Sequence, residues 1–547
     1  MSSTPAPSAS IATAAFTDAV GRRRTFAIIS HPDAGKTTLT EKFLLYAGAV
    51  GEAGAVKSRR VARAARSDWM KLEQERGISV SSTVLHFAYG DWRFNLLDTP
   101  GHADFSEDTY RTLCAADAAV MVLDIAKGLE PQTLKLFQVC RDRGLPIVTF
   151  VNKCDRPGLP PLGLLDEITE QIGLQPVPIT WPVADGSDFA GIVDRRTDEL
   201  VRYDRTAHGA RKGQEVVEPW ATADPQGCPP DRWDAAKEEL ELLDMEERDL
   251  DQDAFLGGTQ TPVFFGSALQ NFGVRLLLEG FAELAPPPSA SPVDEPADAG
   301  ARPVAAPFAG QVFKVQANMN PRHRDRMAFL RVNSGTFERG MSATLARTGR
   351  TYQLKYAHQL FAADRNTVDL AVAGDIVGLV NAADLVPGDT LYTDDAVTFP
   401  PIPTFAPEKF VSVRTTDTKR YKQFRKGLVQ LDEEGVIHVL RRPEFGDQEP
   451  ILAGVGQLQF EVAEHRFEHE FGCPVRMQPL QWEVARRIDA SAVDALRGQF
   501  KTMVVEDSQG NHMALFASSV ALDKAERDHP DIAFEPLGTG LARRVAA

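Results

Sequence analysis

The sequence predicts a multidomain fold: an α/β domain built around a phosphate-binding loop (P-loop), then a β-barrel domain, then an α+β domain. Up to about residue 284, apolar strand-like runs alternate with helical segments, which indicates a mostly parallel sheet with helices on both faces. Prolines crowd residues 285–307 and predict a linker without regular structure. Short strands with turn signals fill 308–398, and short strands alternate with helices over 399–547.

Composition restricts the class of protein. The 547 residues are enough for three or four domains, and 43% hydrophobic with 25% charged residues is ordinary for a soluble globular chain. We expect no membrane span or membrane partner, because no apolar run approaches the roughly 18 residues required. Five cysteines without a Cys-x-x-Cys pair favour a reduced, cytoplasmic protein without structural zinc. A net charge of −16 argues against a DNA partner, although local basic patches decide contacts with nucleic acid.

The amino-terminal segment lacks the basic-then-apolar pattern of a signal peptide and is rich in Ser, Ala, Thr and Pro. We expect a disordered tail over residues 1–23 and the α/β domain over 24–284. The interval between Asp155 and Ser267 is too long for one strand–helix unit. An insertion is therefore expected at about 181–257, with a strand at 201–203 and an acidic helix at 235–249.

A phosphate-binding loop is predicted where the first apolar run ends. Residues 30–38 follow the run 26–29 and open into a helical pattern, and a strand, tight turn and helix in this order aim backbone N–H groups at phosphate oxygens. Lys36 adds a point charge and the Thr37 hydroxyl can bind Mg²⁺. The usual pattern begins with Gly, where this chain has Ser30. The residues assigned to the loop are Ser30, His31, Pro32, Asp33, Ala34, Gly35, Lys36, Thr37 and Thr38.

A magnesium-binding carboxylate is predicted at the end of the apolar run 94–97. The residues there are Asp98, Thr99, Pro100 and Gly101, followed by His102. A buried parallel strand would deliver Asp98 to the ion through a water molecule. Between this element and the P-loop, residues 76–79 fit a switch segment that places the Ser79 hydroxyl on Mg²⁺.

A base-selecting element is predicted after the apolar run 146–151. It consists of Asn152, Lys153 and Asp155, whose carboxylate can accept paired hydrogen bonds from the N1–H and the exocyclic amine of guanine. Adenine does not offer that arrangement. A further loop of Ser267, Ala268 and Leu269 fits a backbone amide that donates to the guanine O6.

Each motif also has an ordinary structural interpretation. Asp-Thr-Pro-Gly alone is often a turn, Asn-Lys-Cys-Asp alone is usually a solvated loop, and His102 alone would be a surface or capping histidine. The order of the motifs favours a GTPase, because each follows a strand-like run at the carboxyl edge where ligands bind in open α/β sheets. An ATPase would require Asp155 to be incidental.

The third domain contains a helix with an unusual charge distribution. Basic residues at 419–426 open it and the acidic residues 432–434 close it, which opposes the helix dipole. A charged partner would explain this arrangement, and a solvated face is the alternative. A second, similar pass of strands and helices is expected to start with the helix after Gly456, so that the domain has two related halves.

Longer strings in this sequence carry a family resemblance. They lie at 30–38, 67–70, 76–79, 98–102, 105–111, 179–182, 316–319, 323–326 and 426–431. With these strings the chain resembles the translational GTPases, and most closely the peptide chain release factor 3 family, over nearly its whole length after the tail. Ser30 and Ser79 are the residues that this family shows at those positions.

The resemblance implies a class-II release factor, a GTPase stimulated by the bacterial-type ribosome. Such a protein acts after a class-I release factor has triggered peptide release, and its GTP form favours a rotated ribosome from which the class-I factor leaves. GTP hydrolysis then releases the protein itself. The implied cofactors are GTP or GDP and Mg²⁺, and the implied partners are ribosomal RNA and proteins and, functionally, class-I release factors. We expect a cytoplasmic monomer.

The resemblance also implies roles for the catalytic residues. Lys36 contacts the β- and γ-phosphates, the Gly101 backbone N–H senses the γ-phosphate, and His102 orients the attacking water. We expect slow hydrolysis without the ribosome, because nothing in the sequence identifies a built-in arginine finger. Arg66 and Arg76 are candidates for that role, although structural ion pairs would also account for them.

The implied metal ligands are Thr37 and Ser79 directly and Asp98 through water, with Asp33 and Ile78 lining the same pocket. Two alternatives to the release-factor function remain. One is another translational GTPase of the elongation or ribosome-rescue type, which the specific strings and the lack of further domains disfavour. The other is a ribosome-bound scaffold that holds GTP with little turnover, which His102→Ala would separate from an enzyme.

Overall fold

A seven-stranded sheet forms the centre of the first domain in the computed structural model, which describes residues 9–48, 82–100, 106–204, 213–246, 249–296, 300–317, 326–361, 364–380, 384–402, 406–442 and 446–537. The strands of this domain are β1 (Arg23–Ser30), β2 (Thr83–Tyr89), β3 (Trp92–Asp98), β4 (Ala118–Asp124), β5 (Ile147–Asn152), β6 (Gln175–Pro178), β7 (Thr180–Val183), β8 (Gly191–Asp194), β9 (Glu199–Tyr203), β10 (Glu215–Pro219) and β11 (Gln260–Phe265). The order across the central sheet is β2-β3-β1-β4-β5-β11-β6. Neighbours are parallel except in the β2–β3 hairpin.

Helices cover both faces of this sheet. The helices of the first domain are α1 (Ala9–Gly21), α2 (Lys36–Tyr46), α3 (Ser106–Leu113), α4 (Pro131–Asp142), α5 (Pro161–Ile172), α6 (Pro230–Met245), α7 (Gln252–Leu256) and α8 (Val274–Leu284). One apolar core contains Phe26, Phe94 and Phe281, and a second, on the opposite face, contains Leu97 and Met121. Two covered faces explain why the central strands read as continuous apolar runs.

The expectation of a disordered tail up to residue 23 is wrong for its second half. Helix α1 occupies residues 9–21 and β1 begins at Arg23. The helix packs on the following domain, because Val20 joins Val372 and Ala373 in a small apolar cluster. Long-range burial of this kind leaves no signal in a short, Ala-rich segment.

The insertion forms a second, antiparallel sheet with the order β10-β9-β8-β7. Its core joins Trp181 of β7 and Leu200 of β9 to Trp233 and Leu240 of α6. The same cluster includes Val263 and Phe265 of β11. The insertion therefore packs directly on the central sheet.

The proline-rich segment is not devoid of regular structure, contrary to what its composition predicted. It contains a two-residue antiparallel pair, β12 (Ser291–Pro292) and β13 (Ala301–Arg302). The backbone N–H of Asp294 donates to the Thr398 carbonyl at 2.9 Å, which ties the segment to the end of the second domain. Of the four residues in this pair only Pro292 lacks a backbone N–H, so the short pairing can form.

The second domain is an antiparallel β-barrel domain. Its strands are β14 (Ala309–Ala317), β15 (Arg326–Ser334), β16 (Thr336–Glu338), β17 (Ser342–Leu345), β18 (Thr351–Gln353), β19 (Ala357–Phe361), β20 (Asp364–Thr367), β21 (Leu370–Val372), β22 (Ile376–Val380) and β23 (Thr390–Tyr392). Eight of them form one curled sheet in the order β18-β17-β23-β14-β15-β22-β19-β20, and β16 pairs with β21. Val312, Leu330 and Val377 lie in its apolar core.

The third domain is α+β and has two similar halves. The first half consists of β24 (Lys409–Thr415), α9 (Tyr421–Glu433), β25 (His438–Arg442), β26 (Gly446–Gly454), α10 (Gln457–His469) and β27 (Val475–Leu480). The second consists of β28 (Val484–Arg487), α11 (Val493–Leu496), β29 (Thr502–Glu506), β30 (His512–Phe516), α12 (Ser519–Asp528) and β31 (Glu535–Pro536). Each half is a βαββαβ unit, and the eight strands form one sheet in the order β27-β24-β26-β25-β29-β30-β28-β31. The second unit therefore starts at β28. The helix after Gly456, which the sequence predicted as its start, is α10 and belongs to the first unit.

The first domain contacts the barrel through buried polar groups. Arg331 of the barrel donates to the carboxylate of Asp117 at 2.5 Å, and Arg23 pairs with Asp375 at 3.2 Å. Apolar residues of the barrel, including Phe313 and Phe329, join the core under the central sheet. Within the described part of the chain, no helix is both long and apolar enough to cross a membrane.

Candidate functional site

The polar residues predicted from the motifs lie along one edge of the central sheet. Strands β1, β3, β4 and β5 end there at Ser30, Asp98, Asp124 and Asn152, and the parallel register pairs Asp124 with Asn152. Parallel strands end at a common edge, so side chains that are far apart in sequence meet. This edge is the candidate functional site.

The P-loop wraps between β1 and the first turn of α2. Gly35 has a φ of 102° and Asp33 a φ of 66°, both in the left-handed region. A Cβ on Gly35 would lie 2.2 Å from Nδ2 of Asn152, so a larger residue fits neither the backbone nor the space. Because Gly35 is the N-cap of α2, the N–H groups of the first helical turn have no side-chain cap. Such an uncapped turn is an anion-binding arrangement.

Lys36 and Thr37 stand at the mouth of this loop. The ammonium of Lys36 lies 2.7 Å from Oδ1 of Asp98, with only 7% of the lysine side chain exposed. Thr37 is exposed on the first turn of α2. Among the described residues, the buried Ser30 hydroxyl has no hydrogen-bond partner. The loop thus fits a phosphate group, and the hydroxyl and carboxylate oxygens of Thr37 and Asp98 suit Mg²⁺.

Asn152 connects the P-loop to the loop after β11. Its Nδ2 donates to the carbonyl of Ala34 at 2.7 Å, and its Oδ1 accepts from the backbone N–H of Ala268 at 2.8 Å. Asn152 is 2% exposed. Its amide therefore fixes the spacing between the P-loop and the loop after β11, the predicted phosphate end and base end of the site.

The base end is organised by two further contacts. The ammonium of Lys153 lies 2.7 Å from Asp124, and the Ser267 hydroxyl donates to Oδ1 of Asp155 at 2.5 Å. The serine holds one oxygen of the Asp155 carboxylate, which orients the group for a bidentate acceptor role. Leu269 is 37% exposed beside this loop. Its side chain can cover the face of a bound base.

Sequence reasoning missed two acidic residues of the site. Asp124 anchors Lys153 and also accepts from the backbone N–H of Ala126 at 3.0 Å. Glu130 lies 3.1 Å from Nε2 of His31 in the P-loop. Asp124 ends the apolar run 118–123 just as Asp98 ends its own, and that parallel was a usable signal. Glu130 gave no signal in the sequence, because its contact with His31 depends only on the packing of α4.

Two other predicted residues, Thr99 and Pro100, make contacts within the fold. Thr99 is fully buried and its hydroxyl donates to the Ile28 carbonyl at 2.6 Å, which fastens the end of β3 to β1. Pro100 accepts from the Thr109 hydroxyl at 3.3 Å through its carbonyl. The assignments that fall outside the described residues are Arg66, Arg76, Ile78, Ser79, Gly101 and His102.

The fold and the site define a GTPase of the translational class. The first domain matches the family model described as Elongation factor Tu GTP binding domain at residues 21–287. The barrel matches Elongation factor G domain 2 at 307–394, and the third domain matches Class II release factor RF3, C-terminal domain, at 399–526. The predicted order of an α/β GTPase domain, a β-barrel domain and an α+β domain is confirmed.

Curated relatives identify the particular family. Peptide chain release factor 3 of Synechococcus elongatus is 49% identical over 522 residues, which cover 94% of this chain and 93% of that protein. Its counterpart in Gloeothece citriformis is 47% identical and covers 96% and 97%. A crystal structure from Thermus thermophilus superposes with a TM-score of 0.67 at 24% identity, over 85% of this chain and 68% of that one, and shares the fold. The chain belongs to the peptide chain release factor 3 family, as the sequence resemblance predicted.

Proposed function

We propose that this chain is a ribosome-stimulated GTPase that promotes the departure of class-I release factors from the ribosome after peptide release, in a GTP-dependent manner. Family membership supports a translation-termination GTPase that interacts with the ribosome. The observation that supports the GTP dependence is a set of contacts from the second and third domains. These contacts reach the segment at Ser82 and helix α3, which lie close in sequence to the predicted phosphate-site residues. We further propose that the protein acts as a monomer in the cytoplasm.

The barrel holds both of those segments through one lysine. The Lys314 ammonium donates to the backbone carbonyl of Ser82 at 2.8 Å and to the Ser82 hydroxyl at 2.6 Å, and it lies 3.2 Å from Asp108 of α3. Ser82 comes shortly after Ser79, and α3 comes shortly after His102. A change of backbone at either segment on GTP binding is therefore transmitted to the barrel.

The third domain holds the same helix from its other side. Glu107 of α3 lies 3.0 Å from Nε2 of His438, and Arg111 donates to the carbonyl of Glu434 at 3.4 Å. Buried, hydrogen-bonded ion pairs have only a few good arrangements, so an interface built on them switches between positions instead of deforming gradually. A γ-phosphate that repositions α3 would shift the domain arrangement by its differential affinity for the two states.

The phosphate-site residues divide the work of hydrolysis. Lys36 and the first-turn N–H groups of α2 bind the phosphates, Gly101 senses the γ-phosphate, and His102 orients the attacking water. Thr37 and Ser79 would hold Mg²⁺ directly and Asp98 through a water molecule; the ion, when bound, neutralises charge on the β- and γ-phosphates. Asp155 selects guanine, together with a backbone amide of the loop at residues 267–269.

The recycling function is tested by following a labelled class-I release factor on post-release ribosomes with this protein and GTP or GDP. We expect faster departure with GTP alone, and equal rates with the two nucleotides would refute the proposal. His102→Ala should bind GTP with unchanged affinity but lose ribosome-stimulated turnover. If turnover survives in this variant, His102 does not position the water.

The guanine assignment has its own test. Asp155→Asn should lose preference for GTP by roughly a hundredfold, because two charge-assisted hydrogen bonds of about 1.5–3 kcal/mol each are disrupted. The same variant should gain affinity for xanthosine triphosphate, whose 2-oxo group can accept from the new amide. Unchanged selectivity would show that Asp155 does not contact the base.

A further inference from the structure

The amino end of α9 carries a concentration of cations that the fold does not use. Lys419, Lys422 and Lys426 are all exposed, and none of them makes an ion pair with a described residue. Lys422 and Lys426 stand four residues apart on one helical face, a spacing at which like charges repel. The cations also face the positive end of the helix dipole. Local stability therefore opposes this arrangement.

The acidic end of the same helix, by contrast, is fully employed. Glu433 pairs with Arg326 of the barrel at 2.7 Å, and Glu434 pairs with the buried Arg466 at 2.7 Å. Oδ1 of Asp432 accepts from the backbone N–H of Val439 at 2.9 Å. Tertiary contacts thus explain why acids sit at this end. Among the described residues, no corresponding ion pair engages Lys419, Lys422 or Lys426.

A second observation comes from the adjoining sheet. Arg414 of β24 and Arg476 of β27 are directly opposite each other in the antiparallel register, and both are exposed. Like charges in that position destabilise a sheet. The turn after β24 is bonded to the turn before β27, since the Thr416 hydroxyl donates to the Pro474 carbonyl at 3.1 Å and Arg420 donates to the Gly472 carbonyl. The two sets of cations therefore lie at one end of the domain.

We infer that this end of the third domain, called here the basic end and defined by Arg414, Lys419, Lys422, Lys426 and Arg476, is a contact surface for the phosphate backbone of ribosomal RNA. This inference deepens the proposed function and rests on it. A chain with 76 acidic and 60 basic side chains repels a polyanion overall, so contact requires a local excess of cations.

The chemistry of the surface favours RNA over an acidic protein. Lysine ammonium groups are mobile point charges that suit phosphates in irregular positions, and the exposed Arg414 and Arg476 can bind phosphate through paired hydrogen bonds. Tyr421 lies among the lysines with 38% of its surface exposed. An exposed aromatic ring beside cations can stack on an unpaired base, as in many RNA-binding surfaces.

The test compares two full-length triple variants in the GTP-bound state. In one, Lys419, Lys422 and Lys426 are changed to alanine. The matched control changes three exposed lysines elsewhere, Lys135, Lys355 and Lys524, and loses the same charge. Affinity for purified ribosomes is measured over a range of salt concentrations. We expect the first variant to bind roughly tenfold more weakly, with the slope of log K against log salt smaller by about 0.7–0.9 per lost contact, and the control to match the wild type.

The remaining outcomes refute the inference in distinguishable ways. Equal binding by both variants overturns the basic end as a contact, and weaker binding with an unchanged salt slope overturns the phosphate contact. A photo-crosslinker at the exposed position of Gln423 should capture ribosomal RNA; capture of ribosomal protein alone would assign the surface to a protein partner. If the wild type does not bind ribosomes while GTP binding is intact, the proposed function itself fails.

Discussion

The contact between Glu107 and His438 is expected to hold the third domain on α3, and its strength can be worked out from the structure. Only 3% of the Glu107 side chain is exposed. Burial alone would raise the pKa of Glu107, but Arg111 and His438 outweigh burial and lower the pKa from 4.5 to about 2. A shift of this size corresponds to about 3 kcal/mol in favour of the charged carboxylate in the folded protein, to which Arg111 on the same helix contributes most and His438 of the third domain next.

The change to make is Glu107→Gln, which keeps the size of the side chain and removes its charge. Arg111 and His438 then lose their buried counter-charge, so the local free energy of opening should fall by about 3 kcal/mol. Hydrogen exchange of the α3 amides measures this quantity, and protection should fall roughly a hundredfold. Glu468→Gln, at an exposed position of α10, is the control and should change nothing. A loss of protection below about threefold in Glu107→Gln would refute the reasoning.

The pair also predicts a pH dependence. The pKa of His438 is raised chiefly by Glu107, against the effect of burial; Asp432 adds to the rise and Arg111 opposes it. A histidine whose pKa is raised by folding stabilises the folded state fully below its ordinary pKa of about 6.5. This stabilisation is lost as the pH rises through the pKa of the folded state. The contribution of Glu107 is complete above about pH 4.5 and is lost as pH falls toward 2. The difference in α3 protection between wild type and His438→Gln should therefore be largest below about pH 6.5 and should shrink as the pH rises above it, and a constant difference would contradict the assignment.

Three further predictions concern other parts of the molecule. Gly35→Ala should weaken binding of a fluorescent guanine nucleotide by roughly a hundredfold, because the φ of 102° and the approach to Asn152 together cost about 3 kcal/mol; unchanged affinity would show that the loop adapts. Lys314→Met leaves the buried Asp108 without its cation and should lower the unfolding temperature by a few degrees. Lys314→Arg is the control and should stay closer to the wild type. An unchanged melting curve for Lys314→Met would mean that the ion pair is not needed for stability. Burial raises the pKa of Cys154 to about 12, so a thiol reagent should modify it only in denaturant; modification in the native protein would contradict the placement.

Much of the fold and the motif order could be predicted because the relevant signals are local. A buried parallel strand reads as a continuous apolar run, and the polar residue that ends it, such as Asp98 or Asn152, marks the ligand-binding edge. The sequence alone thus determined the order of the three domains and the family, both of which are confirmed. The individual site roles, including those of His102 and Ser79, stay predictions.

Only the tertiary structure decided which distant groups meet. Asn152 holds the P-loop with one end of its amide and the loop at Ala268 with the other, two contacts that the motif did not predict. Glu107 meets His438 across 331 positions, and no periodicity encodes that encounter. The docking of α1 on the barrel was likewise invisible. Local patterns record which face of an element is buried, but a contact between domains depends on the packing of every element between them, and that is why those contacts had to come from the structure.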